Sequence, residues 1–251
     1  MITKAERKLI RSLRQKKFRD QERLFVVEGV KMVLEALESK ERIRGVYVLS
    51  EGLFPWLTDA KLITTREMAE ISQFSTPSPT LALVEQPEID LLQTISTIDK
   101  SLLYLGLDSI KDPGNLGTIL RIADWFGIKA IFASVDTVDL YNAKVIQASM
   151  GAIFRVPLYY VDLMEIIDTL DIPIWGTALS GSSIYETQLS PNGLIIIGNE
   201  ANGITPTLLQ KIDHKLVIPP FYIDSHGSES LNAAISTAIV CSEFRRRYLN
   251  K

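Results

Sequence analysis

Three short stretches of this 251-residue chain combine glycine with small polar side chains beyond what core packing requires. The first, DSIKDPGNLGTILRIADWFGI over residues 108–128, reads as a turn at Pro113-Gly114, a helix that Asn115 can cap, and Arg121 inside that helix. A guanidinium there can hold two anionic oxygens at once, or it can be spent on the neighbouring Asp108 or Asp112. The second, GLIIIGNEANGI over 193–204, places Gly198, Asn199 and Glu200 directly after an apolar strand, with Gly203 expected to open a helix. Glycine backbone allows close approach to a flat ligand, and Glu200 offers an acceptor or is a plain turn residue. The third, VIPPFYIDSHGSESLNAAISTAIVCSEF over 217–244, offers Ser228 or Ser230 as the cap of a last helix and Asn232 in its first turn.

Several chemistries are disfavoured. Ile204 follows Gly203 where a phosphate loop needs Lys and Ser/Thr, and no GxGxxG fingerprint follows the first strand of either half. No GxSxG elbow or Cys/His pair supports a hydrolase, and His226 beside Gly227 reads as an exposed loop residue. With Cys241 as the single cysteine, and His214 and His226 the only histidines, neither a disulfide framework nor the usual zinc ligand sets can be assembled. Metal-free chemistry is expected.

The elements that must position these residues are legible as periodicity. Residues 1–85 alternate a helix over 3–16, an extended FVVEG, a helix over GVKMVLEAL and a strand VYVL, the pattern of a small α/β domain. The mixed polar run EQPEIDLLQTISTIDKS marks a boundary within 86–100, giving domains over 1–90 and 100–251. Beyond it, LLYLGLD, KAIFA, IPIWGTAL, GLIIIG and KLVIP are nearly continuous apolar strands. Helices near 116–126, 142–149 and 230–248 separate or follow them, so a parallel sheet covered on both faces is expected, with ligands at the strand C-termini. Ala234, Ala238 and Cys241 fall on one face of the last helix, a small-residue face that permits close helix approach.

The chain carries a formal charge of −3, yet residues 1–23 hold nine Lys or Arg against Glu6, Asp20 and Glu22. A basic segment on an acidic body is what a phosphate-binding arm looks like, and equally a solvated amphipathic helix with Leu9 and Leu13 turned inward. Charged residues fill the N-terminus where a signal peptide needs an apolar run, and no apolar stretch reaches eighteen residues, so a soluble cytoplasmic protein is expected.

Taken together, DPGNLGTILRIADWFG, IIIGNEANGI and the segment ending in SLNAAI resemble the three motifs of the SpoU/TrmH family of SPOUT-class RNA ribose methyltransferases. KKFRDQERLFVVEGVKMVLEAL and STPSPTLALVEQP are similar to that family's accessory RNA-recognition domain, which is related to a ribosomal-protein fold. The resemblance implies an α/β trefoil-knot catalytic domain, a homodimer, and methyl transfer from S-adenosylmethionine to a ribose 2′-hydroxyl of rRNA or tRNA. By position it implies Asn115, Arg121, Glu200, Ser230 and Asn232 as the reactive set, and cofactor contacts through Thr177, Gly198, Ile218 and Leu231. The chain departs from the family pattern after Ile218, where Pro219-Pro220-Phe221 and a loop through His226 replace a shorter glycine-containing turn. Rival readings are a nucleotide-dependent oxidoreductase, disfavoured by the missing fingerprint, and an RNA-binding homologue without activity, disfavoured by the presence of all five polar residues.

Overall fold

The computed structural model describes residues 2–221 and 230–248, so His226 and Ser228 lie outside the described residues. Its first elements are α1 (Lys4–Ser12), α2 (Lys16–Glu22), β1 (Leu24–Glu28), α3 (Val30–Glu38), β2 (Ile43–Val48), β3 (Lys61–Leu62), α4 (Thr65–Ile71) and β4 (Thr80–Glu85). There follow α5 (Leu91–Ser96), β5 (Leu103–Leu107), α6 (Pro113–Trp125), β6 (Ile131–Ser134), α7 (Ala143–Ser149), β7 (Leu158–Val161) and α8 (Leu163–Thr169). The chain then forms β8 (Ile174–Ser183), β9 (Gly193–Ile197), α9 (Pro206–Gln210), β10 (His214–Val217) and α10 (Ala233–Arg246).

One compact unit comprises residues up to Ile89 together with Asp139–Arg155. Its sheet runs β1-β4-β2-β3, with β4 antiparallel to both β1 and β2 and β3 parallel to β2. Strand alternation sends Leu24, Val26, Leu81 and Leu83 to a face covered by Ile10 and Leu13 of the N-terminal helical region and by Met68 and Ile71 of α4. Phe25, Val27, Ala82 and Val84 face the other way, against Met32, Val33 and Ala36 of α3. The helix expected over 3–16 ends at Ser12, and a second helix begins only at Lys16. A Thr3/Glu6 capping box starts α1, the chain breaks after Ser12, and Arg23 in the left-handed region (φ 55°) ends α2 and turns the chain into β1.

Residues 139–155, which the sequence reading places in the second domain, pack with the first. Ile146 belongs to the α3-side core, and the Tyr141 and Phe154 rings lie 4.5 and 6.5 Å from Phe25. Asp139 Oδ2 accepts from Arg19 Nη2 at 2.6 Å in a pair whose side chains are 6% (Arg19) and 12% (Asp139) exposed, and Arg19 also donates to the Leu13 and Arg14 carbonyls. Local hydropathy carries no sign of this partner change, because the same apolar residues would serve either core. A cut within 86–100 therefore removes the packing partners of 139–155 as well.

The other unit holds Asp90–Val138 and the chain from Val156 onward. Its six strands are all parallel, in the order β10-β8-β9-β5-β6-β7. Every residue of β5 and β9 is buried, as a sheet covered on both faces requires. The sequence reading passes over β7 and α8, whose Leu163, Ile166 and Ile167 close the core at that edge. On α10, Ala234 and Cys241 are buried within this unit, while Ala238 on the same face is half-buried. Among the described residues no helix is long and apolar enough to cross a membrane.

Two outcomes are expected. Asp139→Asn strips the charge partner from a buried guanidinium, which should cost about 3–5 kcal/mol of unfolding free energy; urea unfolding indistinguishable from the unsubstituted chain would contradict the buried pair. Burial pushes the Cys241 thiol up to about 12, so iodoacetamide at neutral pH should label it only after denaturation, as mass spectrometry would show.

Candidate active site

The exit of β5 is shaped by a helix start. Asp112, not Asn115, caps α6: its Oδ1 accepts from Asn115 N at 2.8 Å, and Pro113 takes the first helical position, where its missing N–H costs nothing. This correction matters chemically, because it frees the Asn115 side chain. Asn115 Nδ2 donates to Glu200 Oε1, and Asn115 Oδ1 accepts from Asn232 Nδ2 at 2.8 Å. Asn232 in turn caps α10, its Oδ1 accepting from Ala234 N and Ile235 N at 2.9 and 3.2 Å. The cap expected from Ser228 or Ser230 is thus Asn232 itself. A side-chain relay Glu200–Asn115–Asn232 joins three loops that are 85 and 117 residues apart in sequence.

The exit of β9 is a closed turn and not the helix start expected at Gly203. Asn199 and Gly203 exchange backbone hydrogen bonds at 3.0 and 2.9 Å, with Gly203 at φ 67°, and α9 begins at Pro206. The turn folds back so tightly that a Cβ on Gly198 would sit 2.3 Å from the Gly203 carbonyl carbon and Ile204 N. Asn199 and Asp108, which the sequence reading names without this role, fasten the turn to the first loop. Asn199 Oδ1 accepts from Ala201 N and Asn202 N while its Nδ2 donates to Ser109 O at 2.8 Å. Asp108, 5% exposed, accepts from Thr205 N at 2.6 Å and from Ser109 Oγ at 3.2 Å. An Asn opening a four-residue polar turn is an Asx-turn signal that could have found Asn199; nothing local marks Asp108. Ser109 itself sits at φ 60° and donates to Ser134 and Asp136. The Lys111 ammonium, aided by Ser134 and Ser109, holds the Asp136 carboxyl well below the usual carboxylate range.

Gly198 and Ile218 directly follow β9 and β10, and Thr177 lies inside the adjacent β8, one residue beyond its last pair with β9. The β8–β10 ladder pairs Gly176 with Lys215 and resumes at Ser182 with Leu216, so residues 177–181 have no ladder partner in β10; their pairing with β9 stops at Gly176. Thr177 Oγ1 reaches Ile196 O only at 3.4 Å, and Ile218 is half-buried. Ser230 and Leu231 are exposed immediately before the Asn232 cap.

Arg121 stands apart from the relay. It is exposed on α6 and, among the described residues, makes no hydrogen bond or ion pair. The alternative in which it steadies the loop through Asp108 or Asp112 is therefore overturned: those carboxylates are occupied by Thr205, Ser109 and Asn115. Arg121 shares its helix face with Trp125, four residues on and 84% exposed.

The SpoU rRNA Methylase family matches residues 102–242, and an MRM3-like substrate binding domain matches residues 6–82. The 23S rRNA (guanosine(2553)-2′-O)-methyltransferase RlmP of Bacillus subtilis is 30% identical over 243 residues, 94% of either chain. A TrmH-family structure from Porphyromonas gingivalis superposes with a TM-score of 0.86 at 35% identity, covering 98% of this chain and 99% of that one. An AdoMet-bound rRNA methyltransferase from Sinorhizobium meliloti gives 0.84 at 27% identity, over 99% and 97% of the two chains. With more than half of its length matched, and with the three motif loops joined by one relay, the chain belongs to the SpoU rRNA methylase family.

Proposed function

We propose that this protein transfers a methyl group from S-adenosylmethionine to a ribose 2′-hydroxyl of structured RNA, ribosomal or transfer. The observation that carries the reading is the Glu200–Asn115–Asn232 relay at the C-terminal edge of the parallel sheet, in a chain of this family.

The strand ends fit the cofactor by one test. A ligand held mostly through backbone needs a place where the strand ladder is interrupted, and the stretch 177–181, which the β8–β10 register skips and which lies beyond the last β8–β9 pair, fits that need beside the tight turn after Gly198. Thr177, Gly198, Ile218 and Leu231 are assigned to hold it. S-adenosylmethionine supplies the electrophilic methyl; the chain's own residues orient the acceptor. Arg121 is assigned to bind the 2′-oxygen and the adjacent phosphate. A guanidinium stays protonated and is a poor base, so it favours the developing alkoxide by charge while the proton leaves through phosphate or water. Asn115, Glu200, Ser230 and Asn232 shape the pocket.

The active form proposed is a homodimer, with a trefoil-knotted catalytic domain and an accessory domain of ribosomal-protein type, working in the cytoplasm. Its support is the exposed apolar pair Trp125 on α6 and Ile235 on α10, two helices packed against each other and 84% and 52% exposed at these positions.

Arg121→Ala should lower methyl transfer to cellular RNA by about 10²–10³-fold, with cofactor affinity by calorimetry and melting temperature unchanged, because Arg121 holds nothing in the monomer. Continued inactivity of Arg121→Lys would favour the two-pronged fork, whereas rescue would favour charge alone. Loss of stability together with cofactor binding, at preserved turnover, would refute the assignment. Light scattering should give twice the 28.1 kDa chain mass, and Trp125→Glu should shift it to the monomer; an active monomer would contradict the dimer.

A further inference from the structure

The structure divides the nine cations of residues 1–23 into two groups that the sequence could not separate. Five are engaged within the first unit. Arg19 pairs with buried Asp139, Arg14 donates to Ser72 O and Arg23 to Pro87 O, Lys16 pairs with Asp20, and Arg7 pairs with Glu70 at 2.9 Å. Among the described residues, Lys4, Lys8, Arg11 and Lys17 make no hydrogen bond or ion pair and are exposed.

Three of these four fall at one place. Lys4, Lys8 and Arg11 are spaced four and three apart along α1, one helix face, and with Arg7 and Glu70 of α4 they line a single cleft. The acids of the two helices are already committed. Glu6 closes the Thr3 capping box and binds Lys61, whose bond holds its carboxyl down at about 2. Glu67 closes the equivalent box at Thr64. Glu70, the one acid lining the cleft, is ion-paired to Arg7 and, at 3.7 Å, to Arg66. The wall thus presents three uncompensated cations in a row, a surface that pays an electrostatic cost by itself and is relieved by a run of regularly spaced anions.

We propose that this α1–α4 cleft binds the phosphodiester backbone of the RNA substrate, with Lys4, Lys8 and Arg11 each neutralising a phosphate, while Arg14, Arg19 and Arg23 build the fold and contribute nothing directly to RNA. The assignment rests on RNA being the substrate. Phosphate contacts of this kind fix register and orientation without reading sequence, so the cleft sets affinity and leaves the choice of nucleotide to other surfaces.

The test measures affinity for an end-labelled generic RNA hairpin across a salt series. The Lys4→Gln/Lys8→Gln/Arg11→Gln chain should bind at least about tenfold more weakly at low salt, with the slope of log affinity against log salt shallower by about 2–3. Cofactor affinity and the unfolding midpoint should be unchanged, since these side chains hold nothing in the fold. Lys17→Gln, an exposed and unpartnered cation outside the cleft, is the comparison for diffuse charge, and Lys8→Gln should weaken binding clearly more. An unchanged slope in the triple variant, or equal losses for Lys17→Gln and Lys8→Gln, would overturn the cleft. Tighter response to an acidic peptide than to RNA would overturn it in favour of a protein partner. Methyl transfer by the unsubstituted chain to total cellular RNA tests the functional reading separately: transfer with an unmoved salt slope removes only the cleft, and no transfer with a shallower slope in the variant removes only the methyltransferase.

Discussion

All six strands of the second unit run in one direction, and a parallel sheet can leave its strands' C-terminal ends on only one edge. Every loop departing from β5, β8, β9 and β10 is therefore gathered at that edge, whatever the separation of those strands in sequence. The strand order makes the gathering specific, since β9 lies between β8 and β5 and places the glycine-rich turn after Ile197 beside the start of α6. Function in such a sheet belongs to the strand ends and loops, while the central strands β5 and β9 are buried along their whole length.

That edge carries polar groups that have left water, and each must find a partner. Asp108 is buried and satisfied by Thr205 N and Ser109 Oγ; Asn199 satisfies two amides of its own turn and one carbonyl of the first loop. These bonds fix the loops relative to one another and leave Asn115 to be shared between Glu200 and Asn232. The contrast with Arg121 is informative. The acids near it are occupied by amides and hydroxyls, and among the described residues its exposed guanidinium has no intramolecular partner.

The first unit solves its charge problem by the same accounting of partners. Capping boxes at Thr3 and Thr64 absorb acidic residues into helix starts, so that carboxylates which look like compensating charge in the sequence are engaged in local geometry. Cations on the buried side of α2 are drawn into the fold, Arg19 most of all, and those on the open side of α1 are not. A net count over residues 1–23 averages these two populations.

The sequence by itself determined the fold class, the two-part character of the chain and the identity of the loops that matter. Apolar runs and helical spacing are local properties, and Pro113-Gly114, Gly198-Asn199 and Asn232 mark their turns through backbone chemistry that neighbours alone dictate. It also found the five polar residues, although by resemblance to a family and not from spacing. Only the tertiary structure decided which residues cap and which are freed: Asp112 in place of Asn115 for α6, and Asn232 in place of Ser228 or Ser230 for α10. It alone placed 139–155 with the first core, spent Ala234 and Cys241 inside the second, and sorted the basic arm into engaged and open cations. The reason is common to all of these. A hydrogen bond, an ion pair or a buried face is a property of two groups brought together from distant parts of the chain, and the competition among possible partners is settled only when the fold sets the distances.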